Sequence, residues 1–128
     1  MEEVASLPQD LYEKLVDYLP QDFAEFGFYA AYTGESSYGM SLLAILNDGT
    51  CLNCFAELSA SDTFFLFEDL DNIINGVRQS LEKDKRWNVL KFNVSSSGGF
   101  KLDFEYIDFD NVSSIEHERN WSNYYYNK

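Results

Sequence analysis

The stretch 90-LKFNVSSSGGFKLDFEY-106 decides the fold. Leu90, Phe92 and Val94 alternate with Lys91, Asn93 and Ser95. After Ser96-Ser97-Gly98-Gly99 the pattern resumes, with Phe100, Leu102, Phe104 and Tyr106 alternating with Lys101, Asp103 and Glu105. A period of two sends successive side chains to opposite faces of a sheet. Each arm therefore reads as a strand with one buried and one wet face. The Ser/Gly run reads as the turn between antiparallel partners.

Working back toward the N-terminus, Leu66, Leu70, Ile73, Ile74, Val77 and Leu81 form the core stripe of an amphipathic helix. Its start falls at Asp62 or nearer Leu66. Before it, residues 51–58 read as a strand with Leu52, Cys54, Ala56 and Leu58 on one face. Asn47-Asp48-Gly49 is a strong hairpin turn. Residues 38–46 carry Leu42 to Leu46 without a polar break, as a strand covered at least partly on both sides would. Phe26, Phe28, Ala30 and Tyr32 alternate toward one face of a further strand. Residues 9–19 carry Leu11, Leu15 and Leu19 at helical spacing, with Pro8 in the first turn and Pro20 as the stop. Asp10, Glu13 and Asp17 fall on the opposite side of that helix. At the other end, Ser113-Ser114-Ile115-Glu116 fits a capping box opening a last helix. The order is α-β-β-β-α-β-β-α. It predicts an α+β fold, a five-stranded antiparallel sheet with helices packed on one face, as a single domain over 1–128.

Charge divides the chain. Residues 1–77 hold fourteen acids and one base, Lys14, whereas residues 78–128 hold eight of each, so the net charge of -13 lies in the first part. Such an excess is either a solubilising surface or a field for a basic protein. Phosphates repel a chain of this sign, so nucleic acid is not an expected partner. There is no basic, apolar leader and no run long enough to span a bilayer. The expectation is a cytoplasmic protein with no membrane partner.

Few residues carry recognisable chemistry. Cys51 and Cys54 form a C-x-x-C within a predicted strand, where i and i+3 point to opposite faces. Redox use would require a helix start, and zinc would require more Cys or His than the single His117. His117 lies between Glu116 and Glu118 in the first turn of the last helix and has no adjacent nucleophile in sequence. The run at 95–99 joins two strands rather than opening a helix, so it is a turn rather than a phosphate cradle. Asp108-Phe109-Asp110-Asn111 lacks the glycine and glutamate of a calcium loop. Carboxylate pairs such as Asp103 with Glu105 read as solvated acids, with Lys91 and Lys101 near enough to pair with them. No catalytic residue, metal or cofactor is expected.

The last third carries a resemblance. Trp87 precedes the strand of Phe92. Gly99-Phe100-Lys101, Asp103-Phe104, Tyr106 and Asp108 follow at set spacing. Glu118-Arg119, Trp121, Tyr124 and Tyr125 close the pattern. In these residues, its element order and its acidity the chain resembles the YezG-like immunity proteins, small bacterial proteins that neutralise a polymorphic toxin. Before residue 87 the likeness is one of layout and of the segment 11–23. The Phe-rich region 59–67 and Ser113-Ser114-Ile115-Glu116 depart from the family pattern.

The resemblance implies an antitoxin that binds a cognate protein toxin, a basic nuclease domain, and occludes it without being an enzyme itself. It places Phe92, Phe100, Phe104 and Tyr106 in the sheet's buried face, with Trp121 seating the last helix there. The partner-binding candidates are Asp48 at a hairpin tip, Glu68, Asp69 and Asp71 on the central helix, and Asp108, Asp110 and Glu116 near the C-terminus. For the Glu68 group, complementing the helix dipole is an equal alternative. The alternative for the whole chain is an acidic adaptor domain without a toxin.

Overall fold

The alternation at 90–106 becomes the hairpin of β4 (Val89–Ser95) and β5 (Phe100–Glu105) in a computed structural model. The structure describes residues 2–34, 37–56 and 58–127. Leu90 pairs with Phe104, Phe92 with Leu102 and Val94 with Phe100. Gly98 takes φ +103°, a backbone state that L side chains avoid, so the turn needs glycine there. The wet-face charges pair as expected, Lys91 with Glu105 at 3.1 Å and Lys101 with Asp103 at 3.6 Å.

Two more strands, β1 (Phe23–Tyr32) and β2 (Tyr38–Leu46), and a short third, β3 (Cys51–Asn53), complete one antiparallel sheet in the order β3-β2-β1-β4-β5. β1 is the middle strand. Phe28 sits opposite Leu42 on one side and Phe92 on the other. The helices are α1 (Glu2–Leu15), α2 (Ala60–Gln79) and α3 (Ser114–Tyr126). This is the α+β class and the element order read from the sequence.

The helices do not share one face, which corrects the layering. Leu7, Leu11 and Leu15 of α1 and Leu66, Leu70, Ile74 and Val77 of α2 pack with Phe26, Phe28, Leu42, Leu90 and Phe92. Trp121 and Tyr125 of α3 pack with Tyr29, Ala31, Leu43, Ile45 and Val89, side chains of the opposite parity on the same strands. Trp121 thus seats α3 on the other side of the sheet. Burial of every residue from Phe26 to Tyr32 follows from this double cover. Phe100, beside the hairpin turn, and Tyr106, just past the end of β5, stay exposed rather than filling the core.

Four element boundaries also differ. α1 begins well before Pro8, which lies inside it. Leu7 is fully buried and extends the leucine stripe by one turn, so tertiary packing overrides the local cost of proline. Leu19 is not helical. It is extended at φ -97°, ψ 146°, as the residue before Pro20 should be, and a 3-10 turn at Val16–Tyr18 ends the segment. The strand expected over 51–58 stops at Asn53. The Asn53 side chain accepts from the Phe55 N–H at 3.2 Å and its carbonyl from the Ala56 N–H at 3.1 Å, a local turn that competes with the ladder. Glu57 lies outside the described residues. Finally, α2 opens at Ala60 with Ser59 as its cap, the Ser59 hydroxyl oxygen accepting from the Asp62 N–H at 3.1 Å.

Candidate functional site

The seven candidate acids do not converge. Asp48 sits on the β2–β3 turn and accepts the Thr50 N–H at 2.9 Å, which holds its carboxyl below the usual carboxylate range. β2 pairs Leu46 with Phe23 at that end of the sheet and Tyr38 with Tyr32 at the other. Asp71 belongs to the far end, where it accepts the Tyr32 hydroxyl at 2.8 Å. Asp108 and Asp110 line a shallow cleft with Tyr32 and Thr33, also at that end. Asp108 is occupied by its own turn, accepting from the Asp110 N–H at 3.2 Å and Asn111 Nδ2 at 2.6 Å. Glu116 is exposed in the first turn of α3, its N–H donating to the Ser113 cap at 3.2 Å. Asp103 and Asp108 are thus engaged with Lys101 and Asn111.

Glu68 and Asp69 belong to a different surface, the outer side of the α1–α2 layer. Both are exposed, as are Asp10, Glu13, Asp17 and Asp62. A shallow cleft between the helices is lined by Asp10, Glu13, Lys14, Asp69 and Ile73. Lys14 meets Asp69 at 2.9 Å, and that hydrogen bond, against some desolvation, holds the ammonium pKa above its ordinary value. Because α2 starts at Ala60, Glu68, Asp69 and Asp71 lie more than two turns past its N-terminus. Dipole complementation fades within the first turn, so it accounts for Asp62 and not for these three. The acids of α1 were not among the candidates. Their signal was present in the i, i+3, i+7 spacing of Asp10, Glu13 and Asp17 opposite the leucines.

The other polar clusters are structural. His117 Nδ1 lies 2.8 Å from the Tyr29 hydroxyl, and its Nε2 lies 3.2 Å from Glu105 Oε1, which also meets Lys91. That oxygen is buried; its contact with Lys91 is ionic, and neither contact is a well-aligned hydrogen bond. Burial pushes the imidazole pKa down, Lys91 adds to this, and Glu105 opposes it. Burial pushes the Tyr29 phenol far up. A protonated phenol with a ring 1% exposed offers no nucleophile, so the chain of contacts clamps α3 to the sheet.

Arg78 donates from Nε to the Trp87 carbonyl at 2.8 Å and stacks over Tyr32 at 4.1 Å. Arg86 donates to the Arg78 and Leu81 carbonyls. These cations satisfy the carbonyls after α2 and are not a free anion site. Cys51 and Cys54 are unpaired thiols packed in opposite clusters, and burial pushes Cys54 up to about 11, so neither is poised for redox chemistry. Among the described residues no group of His, Cys, Asp and Glu is placed to hold a metal, and no helix is long and apolar enough to cross a membrane.

No model of a known protein family matches this chain, and neither does any curated protein sequence.

Proposed function

We propose that this chain is an immunity protein of the kind it resembles in its last third, acting in the cytoplasm. It binds a basic protein toxin, a nuclease domain, and covers the surface on which that domain meets its substrate. The observation that carries this reading is the acid-rich outer side of the α1–α2 layer, where Lys14 is the one base before Arg78 in sequence. Nuclease surfaces are basic because they bind phosphates. An acidic face meets such a surface by electrostatically steered association and excludes the nucleic acid from it.

The test is co-expression with the basic C-terminal domain encoded by the neighbouring reading frame. The wild-type chain should restore growth. A variant with Asp10, Glu13, Glu68 and Asp69 all changed to lysine should fold and fail to protect. Full protection by that variant would exclude the electrostatic mechanism, and no protection by the wild type would exclude the immunity role for that pair.

A further inference from the structure

Phe64 and Phe65 stand on consecutive positions of α2 with 61% and 63% of their accessible surface open to solvent. The core stripe of the same helix passes through Leu66, Leu70, Ile74 and Val77, which leaves both rings on the outer side. Phe67 behaves differently. It packs edge-on against Phe55 at 5.3 Å and joins the core. The phenylalanine run at 64–67 is thus divided between interior and surface. The two exposed rings meet edge to face, with centroids 5.5 Å apart and planes at 77°, so each orders the other. Burying a phenyl side chain is favourable, and the domain's own packing leaves both of these out.

Helix spacing frames the pair with acids. Glu68 is i+4 from Phe64 and i+3 from Phe65, Asp69 is i+4 from Phe65, and Asp62 is i-3 from it, which makes them neighbours on the helix surface. We infer that Phe64 and Phe65 are the apolar anchor of a docking surface for a basic protein that presents arginines around an apolar pocket. The charge chooses among occupants. A second copy would bring Asp62, Glu68 and Asp69 against carboxylates of its own kind. Nucleic acid and anionic membrane carry the wrong sign. Arginine suits the site better than lysine, because a planar guanidinium stacks on a phenyl face while it forks a carboxylate. The inference rests on the basic-partner part of the proposed function and not on the partner being a toxin.

The experiment is a titration of the full-length isotope-labelled chain with two synthetic peptides, followed by NMR. One peptide alternates arginine and leucine, and the other has lysine at every arginine position. Shifts should centre on residues 61–72, and the arginine peptide should bind about threefold tighter. Phe64→Ala with Phe65→Ala should weaken it about tenfold while leaving the remaining spectrum in place. Shifts centred elsewhere, equal binding by the double variant, or a dimer that the double variant dissolves would each overturn the inference. Peptide binding without toxin protection would sink the immunity reading alone. Protection that survives the loss of both rings would sink this one alone.

Discussion

A Cβ at Gly27 would collide with the hydroxyl end of the Tyr125 ring, whose oxygen accepts from Asn93 Nδ2 at 2.8 Å. Gly27 and Asn93 are register partners on β1 and β4, so the glycine opens the notch into which α3 lowers its tyrosine. Gly27→Ala should cost about 1–3 kcal/mol in thermal unfolding, and Tyr125→Ala in the same chain should recover part of the loss. His117 makes the second single-residue prediction. An unfolded histidine titrates near pH 6.5, and burial holds this one lower when folded. The unfolded chain therefore binds more protons as the pH falls through that value, and stability is lost from there downward. Melting temperatures between pH 7 and 5.5 should decline for the wild type and run flatter for His117→Gln. Neither role is legible in sequence. Tyr29 is 88 positions from His117, and nothing local to either announces the other.

At the scale of elements, legibility followed how local the deciding interaction is. The strands and register of β4 and β5, the glycine turns and the Ser113 cap of α3 are set by near neighbours and are as read, although Phe100 and Tyr106 stay exposed. The placement of α3 was not, because the parity it covers looks wet. Lys91 and Asn93 are polar, yet Lys91 is half-buried against Glu105, and Asn93 donates to Glu25 and Tyr125 beneath the helix. Polar residues satisfied under a helix are indistinguishable in sequence from polar residues in water. The start of α2, read at Asp62 or nearer Leu66, falls earlier, because Ser59 takes the cap. Ser59→Ala should cost about 1 kcal/mol in denaturant unfolding, and Asp62→Ala should cost less, because Ser59 accepts the capping hydrogen bond. An equal or larger loss for Asp62→Ala would show that the helix begins later.

The whole molecule carries its charge unevenly, and that has a stability cost separate from any partner. Acids of the second part are balanced by contacts such as Lys85 with Glu82 and Lys101 with Asp103. On the α1–α2 layer, Lys14 with Asp69 stands beside several exposed carboxylates. Self-repulsion of this kind is screened by salt, so the melting temperature should rise between low and physiological ionic strength. The four-lysine variant brings the net charge from -13 to about -5 and should lose most of that salt response. A variant more stable than the wild type yet unable to protect would place the acids in service of binding. The candidate acids were visible individually in the sequence. Their sorting into a shared layer, two separate turns and a tyrosine contact required the fold, because strand order and helix phase decide which acids are neighbours.

The central position of β1 bears on how the chain emerges from a ribosome. Gly27 pairs with Leu43 through a nearby hairpin, but its other neighbour, Asn93, is made 66 positions later. At about 5–20 residues per second, the second edge of β1 waits roughly 3–13 s for its strand. During that interval the most fully buried strand of the described sheet has an open hydrogen-bonding edge and lacks the hairpin and helix that will cover it. The high negative charge of the part already made keeps neighbouring nascent chains apart while they wait.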